Sequence, residues 1–190
     1  PSANVSGRVS PTEAAHVLEE LDGAIEAVLD GGPCAVGLES SVLDLSGRRA
    51  VLLRPGGATR EAIEAVIGPV VLAEGTDAAP RGPGMLTSHY APVLPLRLDA
   101  TDPRPDEALL AFGPAPAGAG LTFSLSDSGD LAEAAARLFT GLRTLDAEGR
   151  RRGLVRIAVM PVPCEGLGLA INDRLARAAA PRDHVPPPAG

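Results

Sequence analysis

The chain has 190 residues, an aromatic fraction of only 2% and a net charge of −7 at pH 7. Because nucleic-acid binding depends mainly on basic side chains that neutralise phosphates, this charge argues against an extensive nucleic-acid surface, although one nucleotide could occupy an arginine pocket. No stretch is long and apolar enough to cross a membrane, and the two cysteines lack metal-ligand spacing. We therefore expect a cytoplasmic protein in which Cys34 and Cys164 are reduced thiols in the core, with no zinc site.

The first segment begins abruptly at Pro1 without an initiator methionine, so we expect the chain to be a fragment. Residues 10–13, Ser-Pro-Thr-Glu, predict a helix start with Ser10 as N-cap and Glu13 completing a capping box. Apolar residues at helical spacing predict that this helix continues to Gly31 and Gly32. These apolar positions are Val17, Leu18, Leu21, Ile25, Val28 and Leu29.

Residues 40–54 predict a β-hairpin that follows a short strand at 35–37. If its turn centres on Gly47, Ser40 lies opposite Arg54, and both point away from the apolar face. A half-buried hairpin with a polar outer face is the ordinary interpretation of such a pattern on its own. The alternating apolar residues are Leu43, Leu45, Val51 and Leu53.

A second helix is predicted from the cap Thr59 to Gly68. From Glu74 to Pro92 the periodicity disappears and Gly and Pro recur, which is typical of an inter-domain linker. Met85, His89 and Tyr90 are nevertheless unusual in a purely flexible spacer, and long loops that carry such residues are often functional. We predict that this linker folds over the site as a lid.

The second half of the chain shows a new rhythm of strands and helices, which predicts a right-handed βαβ unit. The predicted strands are 96–98, 108–112, 121–125 and 155–159, and the predicted helices are 128–148 and 167–179. We therefore predict an α/β protein with an N-terminal domain at 1–73, a linker at 74–94, a small α/β domain at 95–181 and a disordered tail at 182–190.

Several polar residues could bind a ligand, although each also has an ordinary explanation. Ser2 and Asn4 offer a hydroxyl and an amide, but solvated loop residues look the same. Arg54 is either a surface ion-pair partner or a phosphate ligand held by charge-assisted hydrogen bonds. The Gly-rich pairs near residues 82 and 166 do not form a dinucleotide-binding motif.

Three further residues leave two interpretations open. Glu39 is either a simple edge residue or a group that orients a ligand amine. His89 is more ordinary as a loop histidine than as a catalyst. Tyr90, the single tyrosine, either covers a domain seam or stacks on a base.

Taken together and in order, the motifs resemble those of the threonylcarbamoyl-AMP synthases of the long, two-domain type. Each motif is common alone, but the ordered set is specific and covers essentially the whole chain. The resemblance implies the C-terminal part of a YrdC-like twisted α/β sheet domain, a linker and a small Rossmann-like α/β domain. The motifs are Pro-Ser-Ala-Asn at 1–4, Ser-Pro-Thr at 10–12, Gly-Leu-Glu-Ser-Ser at 37–41, Arg-Pro-Gly-Gly at 54–57, residues 83–92, residues 128–146 and residues 166–175.

This resemblance implies an L-threonylcarbamoyladenylate synthase, which forms threonylcarbamoyl-AMP and pyrophosphate from ATP, L-threonine and bicarbonate. Its product is passed to tRNA-modifying proteins for the t6A modification at tRNA position 37, and Mg²⁺ is bound through the ATP phosphates. The resemblance identifies no catalytic residue and no protein-held metal. The implied ligands of ATP are Asn4, Ser10, Thr12, Arg54 and Tyr90, and those of threonine are Ser2 and Ser40.

One departure from the family pattern concerns lysine. The family uses a Lys-x-Arg motif, whereas all 17 basic residues other than histidine are arginine here. We therefore expect the chain alone to be inactive. Two alternatives stay open: a non-catalytic fragment that binds nucleotide or a partner protein, and a related carbamoyl-transfer domain with a YrdC-like core, against which the His-Tyr-Ala-Pro linker argues.

Overall fold

The structure, a computed structural model, describes residues 2–73 and 88–181. Within these residues the chain forms helices and strands, which confirms the predicted α/β class. The helices are α1 (Ala14–Leu21), α2 (Arg60–Ile67), α3 (Leu131–Arg151) and α4 (Leu167–Ala179). The strands are β1 (Val42–Asp44), β2 (Ala50–Arg54), β3 (Val70–Leu72), β4 (Leu96–Arg97), β5 (Glu107–Ala111), β6 (Leu121–Ser124) and β7 (Arg156–Val159).

The first sheet has the order β1-β2-β3, with β1 antiparallel and β3 parallel to the central strand β2. Helix α2 makes the crossover between the two parallel strands and confirms the predicted second helix. The Thr59 hydroxyl accepts a hydrogen bond from the main-chain N–H of Ala62 at 3.2 Å, and Gly68 ends the helix at a φ of +83°. Strand β3 was not predicted from the sequence.

The predicted hairpin forms, but its predicted register is wrong. Val42, not Ser40, pairs with Arg54, and an irregularity between Val42 and Leu43 shifts the later pairs so that Leu43 faces Leu52. The shift breaks the simple alternation, because a β-bulge places two residues of one strand against one of its partner. Strand β2 is also buried at three successive positions at its end, as expected of a central strand covered on both faces.

Helix α1 is much shorter than predicted and ends at Leu21. The apolar positions beyond it have little to pack against, since Leu29 is 98% exposed, and a helix depends on a buried face for its stability. Ser10 is not its N-cap: the N-cap residue is Glu13, which makes no side-chain capping bond. Residues 35–37, predicted as a strand, form no strand either. The prediction that Cys34 and Cys164 lie in the core is also wrong, because both are exposed.

The second sheet has the order β4-β7-β5-β6, and all its neighbouring strands are parallel. Each strand of this sheet overlaps its predicted range, and so do the two helices of the second half of the chain, α3 and α4. Helix α4 has the predicted bounds. Strand β5 is buried along its whole length, as expected for a central parallel strand. Asp130 caps α3 by accepting a hydrogen bond from the N–H of Glu133 at 2.8 Å.

The main hydrophobic core lies between this parallel sheet and the two long helices, α3 and α4. Val9 and Tyr90 belong to the same core cluster, so the N-terminal segment and the segment after residue 88 both pack onto the second half of the chain.

The predicted domain boundaries, the lid and the tail stay predictions. Residues 74–87, with Gly82 and Met85, and residues 182–190 lie outside the described part. No helix in residues 2–73 or 88–181 has the length and apolar character that crossing a bilayer requires.

Candidate ligand-binding cleft

A cleft with a volume of about 760 Å³ lies between the N-terminal segment, the hairpin and the segment around Tyr90. It collects residues that are distant in the sequence. Its lining consists of Ser2, Ser10, Pro11, Thr12, Cys34, Gly37, Leu38, Glu39, Ser40, Arg54, His89, Tyr90 and Phe139.

Arg54 and Ser40 are neighbours in the cleft, although they are not paired across the hairpin. The Nε and Nη2 atoms of Arg54 donate hydrogen bonds to the main-chain carbonyl of Ser40, at 3.2 and 2.8 Å. The arginine is buried, with 6% of its surface exposed, whereas Ser40 is exposed. A guanidinium shielded from water attracts an anion more strongly than one at the surface, so this pair can serve an anionic ligand that carries a hydrogen-bonding group.

Glu39 forms the second polar centre of the cleft. Its Oε1 accepts a hydrogen bond from the buried hydroxyl of Ser10 at 2.8 Å, and its Oε2 accepts one from Nε of Arg174 at 2.9 Å. Burial alone would raise the pKa of Glu39, but the Arg174 charge and these hydrogen bonds outweigh it and lower the pKa. The carboxylate therefore stays ionised near neutral pH.

Thr12 is held by a buried histidine. Nδ1 of His16 accepts the main-chain N–H of Thr12 at 3.2 Å and lies 3.3 Å from the Thr12 hydroxyl. Since Nδ1 is an acceptor, the proton of the neutral ring is on Nε2, which donates to Glu13 at 3.0 Å. Burial lowers the pKa of His16, and the Arg143 charge lowers it further, which agrees with a neutral ring. The Thr12 hydroxyl also lies 3.1 Å from that of Thr140 on α3.

Tyr90 forms an aromatic wall of the cleft with its neighbours. Its ring stacks on Phe139 with the centroids 5.4 Å apart, and the centroid of the His89 ring lies 4.0 Å away. The guanidinium carbon of Arg174 lies 5.4 Å from the Tyr90 ring centroid. Tyr90 is 1% exposed and has a φ of +61°, which is uncommon for a residue with a side chain and is held by the packing around it.

Six of the seven residues that the sequence analysis assigned to ATP or threonine line this one cleft. The exception is Asn4, whose amide donates to the carbonyls of Val5 and Arg8 in its own loop, at 3.0 and 3.3 Å. The six are Ser2, Ser10, Thr12, Ser40, Arg54 and Tyr90.

Arg174 is a cleft neighbour that was not predicted from the sequence. The sequence around Arg174 does not indicate that it is buried, because an arginine in a helix is normally a surface group. Two of its hydrogen-bond partners, Pro55 and Glu39, lie 119 and 135 positions away in the chain. The structure places its side chain in full burial beside the cleft. Only the packing of the two halves of the chain reveals it.

Comparison with protein families gives two matches that together cover most of the chain. A family model described as "Threonylcarbamoyl-AMP synthase, C-terminal domain" matches residues 58–180, and one described as "Telomere recombination" matches residues 1–56.

Individual relatives agree with these matches. Threonylcarbamoyl-AMP synthases of Bacillus subtilis and Pyrococcus abyssi are 38% and 39% identical to the chain, over 96% of its length and 57% of theirs. A crystal structure of P. abyssi Sua5 complexed with L-threonine superposes with a TM-score of 0.80 at 36% identity, over 94% of this chain and 56% of that one. The chain thus spans little more than half the length of the relatives it matches.

Proposed function

The chain belongs to the threonylcarbamoyl-AMP synthase family, and we propose that its cleft binds L-threonine and ATP for the synthesis of threonylcarbamoyl-AMP. The observation that carries this proposal is the convergence of Ser40, the buried guanidinium of Arg54 and the Tyr90 ring on one cleft. The P. abyssi relative, which was solved with L-threonine, supports threonine as one of the ligands.

The residue roles in this proposal follow the chemistry of each side chain. Ser2 and Ser40 hold the threonine, and Arg54 binds the ATP phosphates with charge-assisted hydrogen bonds. Ser10 and Thr12 contribute hydroxyls to ATP, and Tyr90 covers the nucleotide. Asn4 reaches ATP in this proposal only if its amide leaves the two carbonyls of its own loop.

The proposed reaction has two steps. The free amine of L-threonine attacks the carbon of CO2, which forms from bicarbonate, and loses a proton to give an N-carboxylate. This carboxylate attacks the α-phosphorus of ATP, and the bond from that phosphorus to the oxygen that bridges to the β-phosphate breaks. Pyrophosphate leaves with the electron pair, and threonylcarbamoyl-AMP remains. The protein would contribute mainly orientation and compensation of charge.

Mg²⁺ enters this proposal through the ATP phosphates. Among residues 2–73 and 88–181, no group of three or more His, Cys, Asp or Glu side chains is arranged to hold a metal ion. The ground for this part of the proposal is chemical, since Mg²⁺ is usually bound through substrate phosphates and one or two carboxylates rather than in a protein cage. The ion would offset the negative charge of the phosphates.

The test is release of pyrophosphate from ATP by this chain, with and without L-threonine and bicarbonate. Release that requires both supports the synthase and would show that our expectation of an inactive chain is wrong. Binding of ATP and threonine without release of pyrophosphate would favour the second candidate, a non-catalytic binding fragment. The absence of lysine from the chain supports this candidate. If neither ligand binds by calorimetry, the proposed function is wrong.

For the wider pathway, we propose that the product is passed to tRNA-modifying proteins rather than used on a tRNA bound here. The net charge of −7 is the supporting observation, because it disfavours a large contact with phosphates. Direct titration with unmodified tRNA at low salt tests this, and tight binding would contradict it.

A further inference from the structure

Arg174 is one of the largest fully buried side chains of the described residues, and two carboxylates face its charge. Its Nη2 atom is buried and has no hydrogen-bond partner among the described residues. Nε donates to the Glu39 carboxylate at 2.9 Å, and Nη1 donates to the Pro55 carbonyl at 2.8 Å and to the Asp173 carboxylate at 2.7 Å. A buried cation is tolerated only when such partners replace water.

The partners of Arg174 lie at three points around the cleft. Glu39 lines it directly and holds Ser10, while Pro55 follows Arg54 in the chain. The third is the Tyr90 ring, 5.4 Å from the guanidinium carbon, a distance at which a cation attracts an aromatic face. One side chain of α4 therefore contacts the hairpin segment, the turn after β2 and the aromatic wall.

The geometry of the contacts requires a guanidinium. Its planar, forked donors reach a carboxylate and a carbonyl in different directions at once, whereas a lysine ammonium acts as a single point charge. Glu39 is only partly buried, with 24% of its side chain exposed, so it could turn towards solvent if Arg174 did not hold it. The orientation of Ser10, which donates to the other oxygen of Glu39, depends on the same contact.

We propose that Arg174 is a positioning residue of the ligand cleft, through which helix α4 fixes Glu39, the Arg54-Pro55 turn and Tyr90 in the arrangement that binds L-threonine and ATP. This inference rests on the proposed function. It gives the C-terminal half of the chain a part in ligand affinity and not only in stability.

The experiment measures the affinity of the full 190-residue chain for L-threonine and for ATP by calorimetry, at a temperature where every variant is folded by circular dichroism. Arg174→Gln is expected to weaken at least one of the two affinities by about tenfold or more, since a bond to a charged group is lost. Arg174→Lys is expected to recover part of the loss, because it restores the charge but not the fork. It also serves if Arg174→Gln does not fold.

The matched control is Arg97→Gln. Arg97 also belongs to the C-terminal half and pairs with a buried carboxylate, that of Glu107, at 2.6 Å, but neither residue lines the cleft. This variant is expected to lower the melting temperature and to leave both affinities within about twofold, as for mutations at independent sites. If Arg174 had only a structural role, Arg174→Gln would likewise lower the melting temperature and leave both affinities unchanged.

A double-mutant cycle with Glu39→Gln shows whether Arg174 acts through Glu39. The double variant is expected to bind little worse than the weaker single variant, because residues that share one contact are not additive. Full additivity, or an Arg174→Gln or Arg174→Lys protein that binds like the unmodified chain, overturns the inference and leaves the proposed function intact. If the unmodified chain binds neither ligand, the proposed function fails, and the inference fails with it.

Discussion

Two buried arginines contact the same short segment of the cleft wall, but they contact different chemical groups. Arg54 donates to the main-chain carbonyl of Ser40, while Arg174 pairs with the Glu39 carboxylate. Arg174 faces the carboxylates of Glu39 and Asp173 and does not line the cleft, whereas Arg54 is one of the residues that line it. This difference in position agrees with our proposals that Arg54 binds phosphate and that Arg174 positions the cleft residues.

Replacement of Arg54 tests this division at the level of a single residue. Arg54→Gln is expected to weaken ATP binding by about tenfold or more, because each bond from a charged group contributes about 1.5–3 kcal/mol. Calorimetric titration with ATP measures the loss. Arg60→Gln is the control, since Arg60 sits on α2 in a partly exposed pair with Glu64. Equal ATP affinity in Arg54→Gln would remove Arg54 from the site.

Tyr90 offers a spectroscopic test, because the chain has one tyrosine and no tryptophan. Burial raises the pKa of the Tyr90 phenol, and the nearby Arg174 charge acts in the opposite direction. Arg174→Gln should therefore raise the pKa of Tyr90 further, measured as tyrosinate absorbance during an alkaline titration. Arg97→Gln, which lies away from Tyr90, should leave the titration unchanged. An unshifted curve in Arg174→Gln would mean that the guanidinium does not act on the ring.

At the scale of elements, the turn after β2 packs against the cleft segment with no room for a side chain. A Cβ on Gly56 would lie 2.5 Å from the main chain of Ser40 and of Ser41, and still closer to the carbonyl of Glu39. The main-chain N–H of Gly57 donates to that carbonyl at 3.1 Å. The Arg-Pro-Gly-Gly sequence thus brings two backbone segments into direct contact beside Arg54.

Gly56→Ala should therefore destabilise the protein by about 1–3 kcal/mol, the usual cost of overpacking, since backbone atoms cannot move aside as a flexible side chain can. Urea denaturation measures the change. Gly47→Ala is the matched control, because the nearest other atom to a Cβ there is the Arg49 carbonyl oxygen at 3.9 Å. Equal effects of the two substitutions would contradict the close approach at Gly56.

The elements of the second half of the chain could be predicted from the sequence because their patterns agree with their packing. Strand β5 is fully buried and is apolar after Glu107, and α3 and α4 each present one apolar face to the same core. Helix α1 shows the reverse case: its predicted extension has helical spacing, but Leu29 finds no surface to cover. Spacing predicts that a face exists, and only the tertiary structure determines whether something packs on it.

Most residues of the candidate site could be predicted from the sequence, but the contacts between them could not. The motif resemblance predicts Ser40 and Arg54 as site residues. The alternation of apolar residues predicts that the two are neighbours, but through a register that is wrong. They meet because the arginine side chain reaches back to the Ser40 carbonyl, which no period-two pattern encodes. Arg174 was missed for a related reason, since its burial depends on partners from the other half of the chain.

At the scale of the whole molecule, the two halves are joined by polar contacts that cross the cleft region. The Thr12 hydroxyl meets Thr140 of α3, and the His89 main-chain N–H donates to the Arg177 carbonyl of α4 at 3.3 Å. Arg174 adds its contacts to Glu39 and Pro55. Stability of the whole chain should therefore respond to the ionisation of groups at this junction.

Two of those groups are histidines that the fold keeps neutral. Burial lowers the pKa of His16 and of His89 below the ordinary value of 6.5. The charged groups around His16 are Arg143, Glu13, Glu19 and Glu20, and those around His89 are Glu39, Arg177, Arg174 and Arg54. His184 lies outside the described residues.

The sign of the pH effect follows from proton binding. As the pH falls through about 6.5, the unfolded chain takes up protons at these histidines before the folded chain does, so the free energy of unfolding decreases. The decrease stops below the folded pKa values, where both states are protonated. The lowered pKa of Glu39 acts in the same direction, but in a separate window below its ordinary value of 4.5.

We therefore expect urea denaturation to show full stability at about pH 7.5 and a clear loss at about pH 5.5, in the range where histidine titrates. Replacing both His16 and His89 with Gln should flatten this dependence, although it lowers stability at neutral pH because the contact of His16 with Thr12 is lost. The single variants should each remove part of the slope. If the double variant retains the slope of the unmodified chain, the junction histidines are not its source, and the neutral ring assigned to His16 is wrong.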